Sequence, residues 1–196
     1  MSLPPRVDSF RVFQWNSGGL PQSKRMELLM TLHEKEIDVF SIKEANLTSK
    51  NLNYYPFKRC CLYVHLKFKQ VVSGILIGVK KELTADFRII KAMGTDCDKN
   101  EVVFLDVWKS EVLFMILAIY RPSCNSPDFS YVNPCQHTLF VDDFNAHSPM
   151  WGYSYTNDAE GKVQDFYARL LSNLYTTRKI PTHIFIKIAE ALSQTY

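Results

Sequence analysis

Nowhere in its 196 residues does the chain contain a run of roughly 18 apolar side chains, so no segment reads as a membrane-spanning helix. Cysteine is sparse and poorly spaced for chemistry. The five residues Cys60, Cys61, Cys97, Cys124 and Cys135 are odd in number and form no C-x-x-C pair. This argues against a disulfide framework or a zinc site and reads as reduced thiols in an intracellular protein. Strongly basic tails are also missing, and the net charge of +3 permits contact with a polyanion without arguing for one. Met1–Ser9 carries prolines and charges where a secretory signal would need an apolar segment, so residues 1–9 read as an N-terminal tail. No repeat, low-complexity stretch or linker divides the remainder, and residues 10–196 are expected to form one domain. With 46% hydrophobic and 22% charged residues, the composition suits a chain that buries a real core.

Period and punctuation then predict many strands and few helices. Strands are expected at Phe10–Asn16, Ile37–Lys43, Cys60–Phe68, Val71–Val79, Thr84–Ile90, Glu101–Trp108, Val112–Tyr120 and Thr138–Val141. Ser23 to Glu36 reads as a helix capped by Ser23, with Met26, Leu29, Met30 and His33 as its apolar stripe. A second amphipathic helix is expected from about Glu160 to Leu174. This mixture implies an α/β (α+β) arrangement of packed, mixed or antiparallel sheets flanked by helices.

Four of these strands end in polar residues that could carry chemistry. The run Thr138–Val141 leads through Asp142 into Asp143, Asn145 and His147, and then into Ser148-Pro149 and Trp151-Gly152. If the backbone stays extended, Asp143 and Asn145 share a face. A carboxylate able to hold a metal or a water then stands beside an amide able to donate to a phosphate oxygen. The plainer reading is a strand that stops in polar turn residues. Upstream, Asn16 precedes Ser17-Gly18-Gly19, Glu44 follows the second strand, and Tyr120-Arg121-Pro122 follows the seventh. Each has its own plain reading: Asn16 as a turn former, Glu44 as a solvated strand end, Tyr120 as a buried tyrosine with a satisfied hydroxyl. Lys58, Arg59, Lys67 and Lys69 lie among Tyr54, Tyr55, Phe57 and Phe68, a mixture that suits either a grip on a nucleic-acid backbone or a solvated strand face with core aromatics alternating behind it.

Taken in order, Gln14-Trp15-Asn16, Glu44, Tyr120-Arg121-Pro122 and Asp143 through Gly152 resemble the landmarks of the endonuclease/exonuclease/phosphatase family. The endonuclease domain of non-LTR retrotransposons is the nearest pattern. The resemblance implies a four-layer α-β-β-α sandwich and a DNA endonuclease that nicks a strand with Mg²⁺ or Mn²⁺. In that scheme Glu44 is the principal metal carboxylate, and Asn16 helps hold the metal or orient the acid. Tyr120 donates its hydroxyl to the scissile phosphate, Asp143 orients and deprotonates the water, and Asn145 contacts the phosphoryl oxygens. His147, Arg121, Trp151 and Arg59 would be DNA contacts, with packing under the loop as the alternative for Trp151. DNA would be the partner of a monomer, with no membrane involved and the nucleus as the compartment the resemblance allows.

Three departures from the pattern set further expectations. Asp142 stands where the family has a small glycine, so a strained strand or a crowded metal is expected there. Pro122 to Thr138 is short for the crossover helix of the family. The closing Ser-Asp-His triplet, whose histidine transfers a proton, does not occur in this sequence. The domain is therefore expected to be incomplete at its C-terminal edge, with slow or undetectable nicking. The alternative is a non-catalytic remnant that binds nucleic acid or protein.

Overall fold

The computed structural model describes residues 9–54, 56–68, 73–92, 100–120, 137–142, 154–155, 161–162, 164–166 and 168. In chain order the elements are β1 (Val12–Asn16), α1 (Gln22–Glu34), β2 (Val39–Lys43), a 3₁₀ turn at Leu52–Tyr54, β3 (Cys60–His65), β4 (Ile75–Lys80), β5 (Thr84–Lys91), β6 (Glu101–Lys109), β7 (Val112–Tyr120) and β8 (Thr138–Asp142). They form two four-stranded sheets, β1-β2-β4-β3 and β5-β6-β7-β8. β1 runs parallel to β2, and β7 runs parallel to β8. Every other pairing is antiparallel.

Alternation along the strands explains how the sheets stack. Val39, Ile75, Ile77 and Val79 of the first sheet pack against Val103, Leu105, Val107, Ile116, Ala118 and Val141 of the second. The residues between them face outward. Phe40, Ile42 and Leu76 meet Leu28 of α1 in a separate cluster. On the far side of the second sheet, Phe140 takes the edge of Phe166 from a helical stretch, with ring centroids 5.1 Å apart. The layers therefore run helix, sheet, sheet, helix, as expected. β2 is buried at all five positions, because both of its faces are covered.

Two sequence expectations about α1 fail. Its N-cap is Pro21, with no side-chain cap, so Ser23 does not start the helix. The apolar stripe is also misplaced, since Met26 and Met30 are 50% and 60% exposed while Leu28 is 1% exposed. Arg25, Leu28, Leu29 and Leu32 repeat with the same helical spacing as the predicted set. An arginine at the first position disguised that phase. Arg25 sits there because its guanidinium donates to the Pro56 carbonyl at 3.2 Å. The strain expected at Asp142 is likewise not seen in the backbone, for β8 carries it in ordinary parallel register opposite Ile119. Phe57, grouped in the sequence with a nucleic-acid grip, is a core residue against Phe40.

Gly78 in β4 is required by packing. A Cβ there would lie 2.1 Å from the Phe40 ring, which is itself buried. Gly78→Ala should therefore cost about 1–3 kcal/mol or more, as overpacking of a filled core does. It would be seen as a lower urea midpoint at unchanged slope.

At the end of the sandwich where β2 begins, Asp38 is 4% exposed and ties three strands together. Its carboxylate accepts from the Arg11 backbone N–H at 2.8 Å, from Lys80 Nζ at 3.2 Å and from Lys109 Nζ at 2.8 Å. Lys109 belongs to the second sheet, so this acid is a strut between the sheets.

Candidate active site

The opposite end gathers the ends of β1, β2, β3 and β7 and the start of β4 and β6. Asn16 is level with Lys43, Lys43 and His65 with Ile75, and Glu101 with Tyr120. Counting by twos from the core residues of each strand puts Asn16, Lys43, His65, Glu101 and Tyr120 on the inward faces. The inner surfaces thus change from apolar to polar at this pole. Lys43 and Glu101 are fully buried, and Tyr120 is 6% exposed.

Glu44 has an unusual backbone. Its φ is +51°, a left-handed conformation that a residue with a side chain rarely adopts. Neighbouring groups hold it there from both sides. The carbonyl of Lys43 accepts from the Ser17 N–H at 3.0 Å, and that of Glu44 accepts from the Gly19 N–H at 2.7 Å. The Ser17 hydroxyl reaches both carbonyls. On the other side, the Ala45 and Asn46 N–H groups donate to Gly74 and Ser73 at 3.2 and 3.1 Å. Such an outlier persists only where its surroundings over-determine it, and these outliers cluster at functional sites.

The consequence is that the half-buried Glu44 carboxylate lies beside Asn16, whose Nδ2 donates to Oε1 at 3.3 Å. Asn16 Oδ1 in turn accepts from the Gly18 N–H at 3.4 Å. Gly18 and Gly19 both have positive φ, which the turn between these two side chains requires. Gly18 lies against Glu44 Oε2, where a Cβ would stand in ordinary contact at 3.9 Å, and among the described residues no hydrogen bond reaches that oxygen.

Of the residues proposed from sequence, Asn16 and Glu44 are brought into contact, and Tyr120 ends β7 at the same pole. Arg59 is not brought there. It precedes β3 at the Asp38 end, about 20 Å along that strand from the site. Asp143, Asn145, His147, Arg121 and Trp151 lie outside the described residues. The structure adds Glu101 and His65 to this pole. Glu101 Oε2 accepts from the Gly74 N–H at 2.9 Å, and His65 Nε2 is 3.5 Å from Oε1. An acid opening an otherwise apolar strand was the one available signal.

Among the described residues, no three His, Cys, Asp or Glu side chains gather as a metal-binding group. One open carboxylate oxygen with an amide beside it suits a hard cation such as Mg²⁺, which binds through one or two carboxylates and keeps several waters. The residues present fit that ion as part of a shell. Among the described residues, no helix is long and apolar enough to cross a membrane.

No family model matches the chain, and no curated protein does. Solved structures of nuclease-type proteins resemble it in shape at low identity. D. rerio TDP2, complexed with single-strand DNA product, is 15% identical over 59% of this chain and 47% of its own, with a TM-score of 0.47. The Leishmania major AP endonuclease LMAP is 19% identical over 59% and 41%, with a TM-score of 0.42. An endonuclease/exonuclease/phosphatase family protein from Leptotrichia buccalis is 14% identical over 70% and 67%, with a TM-score of 0.44. The chain spans less than half the length of the first two.

Proposed function

We propose that this pole is part of a divalent-metal-dependent phosphodiesterase site that acts on DNA, descended from a retrotransposon-type endonuclease. The observation that carries the proposal is Glu44, an acid held in a left-handed backbone with its carboxylate against Asn16 and one oxygen open. The sequence landmarks that lead into this position and into Tyr120 and Asp143 support the same reading.

In this scheme Glu44 supplies the ligand carboxylate, and Asn16 fixes its rotamer by donating to Oε1. A bound divalent ion would supply positive charge to a phosphoryl oxygen. The Tyr120 hydroxyl and the Asn145 amide would donate to the same phosphate, and Asp143 would accept the proton of the attacking water. The low-polarity core beneath Glu44 and Tyr120 would strengthen their interactions.

Conversion of supercoiled plasmid to open circle tests the reading. Any nicking should require Mg²⁺ or Mn²⁺ and stop with EDTA. Asn16→Ala, which frees the Glu44 carboxylate to rotate, should lower the rate roughly tenfold or more, as loss of a ligand's orienting partner does. Nicking that survives EDTA, or that is indifferent to Asn16, would remove the proposal.

A further inference from the structure

Glu101 is a buried charge at the pole, and the metal scheme gives it no part. Its side chain is fully buried, and among the described residues Oε1 has no hydrogen-bond partner. Burial of a carboxylate that is incompletely hydrogen-bonded costs several kcal/mol, roughly, so an apolar residue would serve stability better. What Glu101 does make is a link between the sheets. It opens β6 in the second sheet, and its Oε2 takes the N–H of Gly74, at the entrance to β4 in the first. The carbonyl of Gly74 then takes the N–H of Ala45, the residue immediately after Glu44.

Glycine suits this link, because any side chain at position 74 would be strained. Its φ is +90°, and a Cβ would meet the His65 carbonyl and the Lys67 nitrogen at 3.0 Å each. His65 Nε2 stands 3.5 Å from the other carboxylate oxygen and limits how Glu101 can turn.

We propose that Glu101 is a positioning residue for Glu44, acting through the Gly74 backbone to hold the left-handed conformation that aims the Glu44 carboxylate. The inference rests on the reading of Glu44 as a metal ligand, but the link itself is tested without metal. Glu101 sets geometry by reach, so its length matters more than its charge. Glu101→Gln keeps an acceptor at the same distance, whereas Glu101→Asp keeps the charge and withdraws it by about one C–C bond, roughly 1.5 Å.

The experiment is amide hydrogen exchange on the metal-free chain, followed by calorimetric titration with Mn²⁺ alone. In Glu101→Asp, exchange should speed at least tenfold at Gly74, Ala45 and Asn46 while Leu105 and Ile77 keep their protection. Glu101→Gln should change these amides less than threefold. Mn²⁺ affinity should fall roughly 10–100-fold in Glu101→Asp, the usual cost of removing support from a ligand, and stay within threefold in Glu101→Gln. The opposite order, with Gln impaired and Asp normal, would show that charge rather than position matters and would overturn the proposal. Unchanged exchange at Ala45 in Glu101→Asp would overturn it as well. If the natural chain binds no Mn²⁺ while the exchange pattern holds, the metal reading of Glu44 fails and the Glu101 link stands.

Discussion

Replacing Asp38 by alanine should destabilise the protein by about 3 kcal/mol, the lower end of the cost of removing one partner from a buried ion pair. The removed carboxylate takes an acceptor from the Arg11 N–H and leaves the Lys80 and Lys109 ammonium groups with the Glu36 and Ser9 carbonyls. Lys80 and Lys109 are 28% and 25% exposed at their side chains, so they can turn partly toward water, which keeps the loss from being larger. Because Lys109 comes from the second sheet and Lys80 from the first, the contact between sheets is weakened as well as a strand end.

The same residue gives stability a dependence on acid. Burial pushes the Asp38 carboxyl upward, but hydrogen bonds from Lys109, the Arg11 N–H and Lys80, with the charge of Lys109, outweigh it. The group is held below its ordinary value of 3.8. A lowered acid stabilises fully above its unfolded value and loses that contribution as pH falls through the folded one. Chemical denaturation of the natural chain should therefore show stability falling as pH drops below about 4. Asp38→Asn should flatten that part of the slope. An equal slope in both chains would mean that other carboxylates carry the acid sensitivity.

Elements that bury both faces were the easiest to read in the sequence. β7 spans the same residues as the expected strand, and β2 lies within the expected Ile37–Lys43 run, buried at every position including Ser41 and Lys43. The phase of α1 was not legible, because two sets of residues satisfy the helical spacing and only the position of Pro56 tells which set faces the sheet. At the site, Asn16 and Glu44 could be picked out by the resemblance, Asn16 as the last residue of β1 and Glu44 as the residue after β2. The 28 residues that separate them close to a 3.3 Å contact because β1 and β2 are parallel and in register. What lay beyond the sequence was the left-handed backbone at Glu44, since a glutamate carries no mark of positive φ. The role of Glu101 was equally hidden. Its partner Gly74 lies 27 residues away in another sheet, and only the stacking of the sheets brings them together.

Strain at Glu44 also sets stability against function, and glycine separates the two. A left-handed residue with a side chain costs about 1–2 kcal/mol, which glycine would relieve. The extra freedom of glycine in the unfolded chain returns roughly 0.5–1 kcal/mol of that. Glu44→Gly should therefore be as stable as the natural chain, or more stable by up to about 1.5 kcal/mol. The hydrogen bonds that fix this turn use backbone atoms, which the substitution leaves in place. Only the carboxylate is lost, so any loss of metal binding cannot be assigned to unfolding. Calorimetric titration of Glu44→Gly with Mn²⁺, beside the natural chain, is the most direct measurement of the central claim. A binding heat in the natural chain and none in the variant is the predicted result; the same heat in both would contradict the assignment of Glu44 as the metal carboxylate.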